Sequence, residues 1–457
     1  MKFGGAVLSD GAGMARVARL VAREEGARIV VASAMGGVTD RLGESLDTVR
    51  ADEGHVFVLV EGLRELHQDA LHVVAPAGDA AASYALDANL ERLERLLYGI
   101  AYTQEATPRL HDLLMSFGER LSTPLLAAAL RTAGCHAVAF DAEHAGIRTA
   151  GPFGRARPDL ATLRHEVPAR LGPTLEEGGI PVVTGYYGVG PDGEPTLFGR
   201  GGSDLVASLL GYALQATRIE LWKDVPGFLS ADPRAVPGAR LVPELGYDEA
   251  AELANFGAKV LHARAVEPAE EAGIPIHIRC IEDPDAAGSI IHGRASPAAP
   301  IVRSVASMDR LAILRLEGPG MGHTPGVGRR VLGALEDAGI NVLSVGTSQA
   351  SLALVVEEAD TALAEAALAP LVGGPVRGVR TTPGRSLVCV VGKGLGATPG
   401  SAARILAAVG ERGVNVEMVS LGASDIAIDF LIAGGDRQRA VQGIHETFQR
   451  HLVEEAA

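Results

Sequence analysis

Short apolar strands that alternate with helix-length segments constrain the fold of this chain more than any other feature. Apolar, β-branched runs occur at residues 28–32, 137–140, 180–184, 219–222 and 274–278, and segments with apolar residues three and four apart lie at 13–25, 87–98, 162–177 and 203–215. Strands that are apolar on both faces need a helical layer on each side, so this succession predicts an α/β fold, a three-layer sandwich with a mainly parallel central sheet. Residues 56–98 are expected to form a helical subregion over one side of it.

An internal repeat marks a second region. The sequence GMGHTPG at residues 320–326 matches GLGATPG at 394–400, and each residue of the second copy lies 74 positions after its counterpart. Two copies of one βαβ-containing module are therefore predicted. A Pro- and Ala-rich stretch at 295–300 separates them from the first region, so we expect domains at residues 1–295, 301–375 and 380–457.

Composition limits the classes of partner and the compartment. The 457-residue chain has 41 Lys and Arg against 56 Asp and Glu, a net charge of −15. This balance argues against a surface that binds nucleic acid or an anionic membrane. Any anionic substrate must therefore be bound by Lys or Arg side chains placed locally at its site. No membrane span or signal peptide is predicted, and the three cysteines are far apart without metal-ligand spacing. These features favour a soluble cytoplasmic protein, and no metal ligand is predicted.

Glycine-rich turns after predicted strands are candidates for phosphate binding. The sequence KFGG at residues 2–5 and the sequence SAMGGVTD at 33–40 could form two facing cradles of backbone amides. The P-loop pattern is absent, so another arrangement would have to hold the phosphates. Phosphoryl transfer depends mainly on positioning and on neutralising the moving phosphate, which such turns and one lysine could supply.

Two further motifs suit an amino acid with a carboxylate. The sequence FGRGGSD at residues 198–204 contains Arg200, a natural bidentate partner for a carboxyl group, and SFGERLS at 116–122 contains Glu119, an acceptor for an ammonium group. The strand at 219–222 ends in Lys223, Asp224 and a Pro-Gly turn. Ligands of open α/β sheets bind at such carboxyl ends.

Together these motifs resemble those of the aspartate kinases of the amino acid kinase family, over essentially the whole chain, and the repeats resemble a tandem pair of ferredoxin-like, α+β ACT domains. The resemblance implies phosphoryl transfer from ATP, with Mg²⁺ carried by the nucleotide, to L-aspartate. The product, 4-phospho-L-aspartate, opens the route to lysine, threonine and methionine. The attack would be direct, because a carboxylate is ionised at neutral pH and needs no base.

The resemblance also implies roles for individual residues. Lys2 and Asp204 are expected at the reacting centre. The aspartate pocket would be lined by Thr39, Glu119, Tyr186, Arg200 and Ser203. Nucleotide contacts are implied for Lys2, Gly4, Gly5, Lys223, Asp224, Leu229, Arg234 and Lys259. Effector contacts are implied for Met321, Gly322, Thr324, Gly326, Asn341, Val342, Thr347, Ser348 and Gln349.

Regulation and assembly follow from the same resemblance. An amino-acid effector would bind the modules, with lysine favoured over threonine because Thr347-Ser348 resembles lysine-sensitive forms. Pairing of modules between chains would give a homodimer or a larger homo-oligomer.

Some positions depart from the family pattern and leave alternatives open. Ala6-Val7 replaces a usual Thr-Ser, and Leu229 replaces a frequent aromatic residue, so we expect altered kinetic constants. The strand at Lys2 is either short or continues upstream of Met1. One alternative function is a related carboxylate kinase that acts on an acetylated or longer acidic amino acid. Another is a non-catalytic amino-acid sensor with a kinase-like domain.

Overall fold

The computed structural model describes residues 1–258, 260–293 and 301–454. These residues form two compact units, each with its own main sheet. Of the described residues, 1–228, 243–247 and 260–293 belong to the first unit, and 229–242, 248–258 and 301–454 to the second. The predicted domain bounds stay predictions, because the predicted linker at 295–300 lies outside the described residues. No helix in the described ranges is long and apolar enough to cross a membrane.

The first unit is built on a mainly parallel sheet. Its strands are β1 (Lys2–Phe3), β2 (Val30–Ala32), β3 (Ala137–Phe140), β4 (Thr149–Ala150), β5 (Arg157–Pro158), β6 (Ile180–Thr184), β7 (Tyr187–Val189), β8 (Pro195–Leu197), β9 (Ile219–Lys223), β10 (Glu244–Leu245), β11 (Ile276–Cys280) and β12 (Ser289–Ile291). Eight of them form one sheet in the order β10-β12-β11-β9-β1-β2-β6-β3. Among the described residues, only β11 and β12 pair antiparallel within this sheet, which confirms the predicted sheet.

Helices cover this sheet. They are α1 (Gly11–Arg23), α2 (Val38–Ala51), α3 (Gly54–Val74), α4 (Ala80–Thr103), α5 (Pro108–Thr132), α6 (Ala142–Ala145), α7 (Leu160–Glu176), α8 (Gly202–Leu214) and α10 (Val266–Ala272), whereas α9 (Tyr247–Asn255) belongs to the second unit from Asp248 onwards. Helix α5 packs on β2, β3 and β6, and α8 packs on β1, β2 and β9. Both helices are buried over most of their length, since neighbouring helices cover their outer sides. Helices α3 and α4 form the predicted helical subregion.

The second unit has an antiparallel sheet with the symmetry that the repeat predicts. Its elements are β13 (Ser304–Glu317), α11 (Val327–Asp337), β14 (Ser344–Thr347), β15 (Ser351–Glu357), α12 (Thr361–Leu368), β16 (Gly378–Val391), α13 (Ser401–Gly410), β17 (Val416–Ser420), β18 (Ala427–Ala433) and α14 (Arg437–Glu454). The sheet order is β14-β15-β13-β16-β18-β17. The two copies therefore share one succession of elements, as expected for paired α+β modules.

The two long strands, β13 and β16, each serve both modules. Residues 304–308 of β13 pair with 387–391 of β16, whereas residues 311–317 pair with β15 and with 378–385 of β16. Val305 shares an apolar cluster with side chains of α13 and α14, whereas Leu314 shares one with side chains of α11 and α12. The first part of β13 therefore belongs to the second module, although it precedes the first module in the sequence.

Candidate active site

The carboxyl ends of β9, β1, β2 and β6 meet at one edge of the parallel sheet. The loops after β1 and β2 approach each other closely, because a Cβ at Gly5 would lie 3.0 Å from the backbone oxygen of Ala34. Helix α2 begins directly after the second loop, and α8 begins after Gly201. Helix N-termini and exposed loop amides at strand ends favour anion binding. This edge is therefore the candidate site.

Three charged side chains form the centre of the site. The Lys2 Nζ lies 2.7 Å from Asp204 Oδ1, and the Lys223 Nζ lies 2.9 Å from Asp204 Oδ2. Burial opposes ionisation of Asp204, but the two ammonium groups outweigh it and lower the pKa of that carboxyl to about 2. Burial also lowers the pKa of Lys2, although the Asp204 charge counteracts it. Two cations thus share one carboxylate, which leaves an excess of positive charge.

Glu119 lies beside this centre, in the middle of α5, and is 3% exposed. Its Oε1 accepts a hydrogen bond from the Ala34 backbone amide at 3.2 Å, whereas its buried Oε2 has no hydrogen-bond partner among the described residues. Burial raises the pKa of Glu119 to about 8, although the Ala34 amide and the Lys2 charge act in the opposite direction. A buried acceptor without a partner is costly, so this oxygen is suited to a ligand that donates.

Three of the residues assigned to the aspartate pocket lie near Glu119. The Ser203 hydroxyl contributes to stabilising its ionised form. Thr39 Oγ1 lies 3.7 Å from the position that a Cβ would take at Gly118, the residue before Glu119. Burial together with the Glu119 charge raises the pKa of Tyr186 to about 12. Tyr186 and Ser203 therefore lie close to this carboxyl group, and Thr39 lies close to the residue before it.

Arg200 lies in the loop that precedes α8 and is exposed. The residues on either side, Gly199 and Gly201, have positive φ angles of 80° and 71°. A side chain at Gly201 would also collide with His262, since its Cβ would lie 2.1 Å from the His262 Cβ. Glycine is therefore required at Gly201, and the turn leaves the Arg200 side chain exposed.

The residues assigned to the nucleotide are divided between the two units. Lys223 bonds Asp204 at the reacting centre, and Asp224 beside it is exposed. Leu229 and Arg234 belong to the second unit, where Arg234 is paired with Asp232 at 2.8 Å. The predicted contact at Lys259 lies outside the described residues. Among the described residues no group of three or more His, Cys, Asp or Glu could hold a metal ion.

The assigned effector residues lie in the first module of the second unit. The Gly322 amide donates to the Gln349 backbone oxygen at 2.9 Å, so the loop after β13 and the turn after β14 are in contact. His323 and Gln349 also approach each other through their side chains, at 3.2 Å. Thr347, Ser348 and Gln349 are exposed. The other assigned residues of this module are Met321, Thr324 and Gly326 in the first loop and Asn341 and Val342 before β14.

Sequence reasoning missed two charged residues that border the site. Asp112 is fully buried and lies two helical turns before Glu119 on α5, a spacing that places both on one side of a helix. Arg264 follows β9 by a long stretch of chain and bonds the backbone of the Arg200 loop. The periodicity could have indicated Asp112, whereas no local pattern marks Arg264.

Comparison with known proteins gives the same assignment for both units. The family model of the amino acid kinase family matches residues 1–280, and that of the ACT domain matches 314–370 and 388–448. Lysine-sensitive aspartokinase 3 of Escherichia coli (strain K12) is 33% identical over 464 residues, which cover 97% of each chain. Chloroplastic aspartokinase 2 of Arabidopsis thaliana is 33% identical over 467 residues, which cover 98% of this chain and 84% of that protein.

Solved structures agree over the whole chain. The crystal structure of E. coli aspartokinase III with aspartate and ADP, in the R state, superposes with a TM-score of 0.85 at 32% identity and covers 98% of both chains. The same enzyme with lysine and aspartate, in the T state, gives a TM-score of 0.80 with the same coverage. The resemblance predicted from the motifs is confirmed. The chain belongs to the amino acid kinase family and, within it, to the aspartokinases with ACT domains.

Proposed function

We propose that this protein is an aspartate kinase that converts ATP and L-aspartate to ADP and 4-phospho-L-aspartate, the first step towards lysine, threonine and methionine. The observation that carries the proposal is the buried Lys2–Asp204–Lys223 cluster beside the unpaired oxygen of Glu119. It combines a cationic centre for a phosphate with an acceptor for an ammonium group. The similar E. coli aspartokinase III binds aspartate and ADP.

In the proposed mechanism, the side-chain carboxylate of aspartate attacks the γ-phosphorus of ATP in line with the leaving oxygen. Lys2 and Lys223 neutralise charge that develops on the transferring group, and Asp204 holds both ammonium groups in position. The loop amides at Gly4 and Gly5 would add hydrogen bonds to phosphate oxygens. Mg²⁺ would enter as the MgATP complex, because this ion keeps several waters and binds phosphate oxygens.

The proposed substrate contacts account for both charged groups on the α-carbon of aspartate. Glu119, with Ser203, Thr39 and Tyr186 around it, would receive the α-ammonium group. Arg200 would bind the α-carboxylate with two parallel hydrogen bonds. Holding both groups orients the reacting carboxylate, and orientation is the main contribution that a protein makes to such a transfer. Nucleotide contacts by Asp224, Leu229, Arg234 and Lys259 remain part of the proposal.

The second unit would regulate the first. We propose lysine as the effector, because the chain is similar to a lysine-sensitive enzyme over its full length and the loop at Gly322 contacts the turn at Gln349. Pairing of the modules with those of a second copy, through a surface that includes the exposed Val345, would give the proposed homodimer. The three cysteines are free, which supports the proposed cytoplasmic location.

Hydroxylamine trapping of the acyl phosphate tests the function. The protein is incubated with MgATP and with L-aspartate, L-glutamate or N-acetyl-L-glutamate, each with and without lysine or threonine. We expect hydroxamate from aspartate only, suppressed by lysine. Lys2→Met should abolish the signal, whereas Lys393→Met is the matched control, because Lys393 is an exposed lysine of the second unit.

The other outcomes support one of the two alternative functions. Hydroxamate from glutamate or its acetylated form would assign the protein to another carboxylate kinase. If no substrate gives hydroxamate while lysine binds to the folded protein, the enzyme proposal is wrong and the amino-acid sensor remains.

A further inference from the structure

Asp112 anchors the backbone on the amino-terminal side of the Arg200 loop. Its Oδ2 accepts hydrogen bonds from the amide of Leu197, at 2.9 Å, and from the amide of Gly154, at 2.7 Å. The side chain is fully buried, a position in which a carboxylate is tolerated only with such donors. Asp112 therefore joins the end of β8 and the loop at Gly154 to helix α5.

Arg264 anchors the same loop from a different segment of the chain. One guanidinium nitrogen donates to the backbone oxygen of Phe198 at 2.7 Å, and the other donates to that of Ala156 at 2.8 Å. The Phe198 amide in turn donates to the Tyr186 oxygen at 3.1 Å. Both backbone groups of Phe198, the residue before Gly199, are thus hydrogen-bonded.

The loop needs such anchors because its own residues do not fix it. Gly199 and Gly201 flank Arg200, and glycine has the widest choice of backbone conformations. The Arg200 side chain is exposed, so packing does not hold it in one direction. The side-chain bonds of Asp112 and Arg264, together with the backbone bonds of Phe198 to Tyr186 and of Gly202 to Gly199, hold the backbone that carries the guanidinium.

We propose that Asp112 and Arg264 are positioning residues that hold Arg200 where it binds the α-carboxylate of aspartate. The inference rests on the proposed function, in which Arg200 makes that contact. When an anchor is lost, Arg200 is still present, but only a fraction of molecules presents it correctly. The apparent affinity for aspartate falls by that fraction, whereas affinity for ATP does not depend on this loop.

A double-mutant cycle tests the proposal. Asp112→Asn and Arg264→Gln are each made alone and together with Arg200→Gln, and KM is measured for aspartate and for ATP beside the melting temperature. We expect each single variant to raise KM for aspartate about fivefold or more and to change KM for ATP less than about twofold. In the Arg200→Gln background, neither should change KM for aspartate more than about twofold. Arg131→Gln is the matched control, because Arg131 also donates to a backbone oxygen, at 2.9 Å, in the same unit.

Calorimetric titration of aspartate into the same proteins distinguishes a failure of this proposal from a failure of the kinase assignment. If the wild type binds aspartate but forms no hydroxamate, the kinase assignment fails and the cycle in Kd still tests the anchors. If Asp112→Asn does not fold, Arg264→Gln carries the test. The proposal is overturned if both KM values rise equally, if Arg131→Gln has the same effect, if the effects persist without Arg200, or if the wild type does not bind aspartate.

Discussion

The affinity for aspartate should depend steeply on pH near neutrality, because Glu119 must lose its proton to receive an ammonium group. Its pKa in the ligand-free protein is about 8. About one molecule in ten then has an ionised Glu119 at pH 7, and about one in a hundred at pH 6. If only the ionised form binds aspartate well, KM for aspartate rises about fivefold from pH 8 to pH 7 and about tenfold from pH 7 to pH 6.

Calorimetry gives a direct measurement of this coupling. At pH 7 binding of aspartate should release about 0.9 proton for each molecule bound, which appears as a dependence of the binding enthalpy on the ionisation enthalpy of the buffer. Glu119→Gln cannot release this proton, so its aspartate affinity should be weaker and nearly constant over the same range. KM for ATP in the wild type is the internal control. A flat KM for aspartate between pH 6 and 8 without proton release would refute the reasoning.

Ionisation of Glu119 has opposite effects on binding and on stability. It strengthens the binding of aspartate but lowers the free energy of unfolding. The pKa of Glu119 is about 8 in the folded chain against 4.5 for an unperturbed group, so the folded state binds more protons between these values. The free energy of unfolding therefore falls as pH rises from about 4.5 to 8, by an amount on the order of a few kcal/mol. Glu119→Gln should melt at a higher temperature than the wild type above pH 8, and the difference should shrink towards pH 5. No such trend with pH would contradict the raised pKa.

Further predictions concern the reacting centre, the carboxylate contact and the effector site. Asp204→Asn should lower kcat by about 10²-fold or more with little change in KM for aspartate, because the two lysines lose the carboxylate that positions them. Arg200→Gln should raise KM for aspartate about 10- to 100-fold while KM for ATP stays within about twofold, as the loss of a charged hydrogen-bond pair predicts. Gln349→Ala should weaken inhibition by lysine about tenfold and leave kcat without lysine unchanged, which an inhibition curve measures.

The sequence predicted most of the first unit because periodicity and burial agree there. The strands β3 and β6 have the predicted bounds, and α8 begins one residue before its predicted start. These elements are short, apolar and fully covered, so local pattern and tertiary environment favour the same structure. Glu119 and Asp204 were found because each lies in a distinctive run of residues, and the structure brings both to the same sheet edge.

The features that were not predicted depend on contacts between distant parts of the chain. Asp112 bonds amides 42 and 85 residues away, so no local motif records its role. The offset of the repeat shows that β13 and β16 are equivalent, but it cannot show that they pair with each other and divide between the modules. The bond between the Lys223 ammonium group and Asp204 was not predicted either, because strand position alone does not give the direction of a terminal side chain, and the nucleotide contact assigned to Lys223 stays a prediction.

The choice of cation at the reacting centre supports the proposed chemistry independently of any motif. The chain contains four lysines and 37 arginines, and two of the four lysines bond the one carboxylate of Asp204. An arginine at either place would present a rigid planar fork matched to a carboxylate, whereas an ammonium group is a compact charge whose N–H groups can point in several directions. Lys2 bonds one oxygen of Asp204 and Lys223 bonds both, so each ammonium group, with three N–H donors, keeps at least one for a phosphate. In a chain that uses arginine almost everywhere else, the two lysines at Asp204 are best explained by the need to bind a carboxylate and a moving phosphate at once.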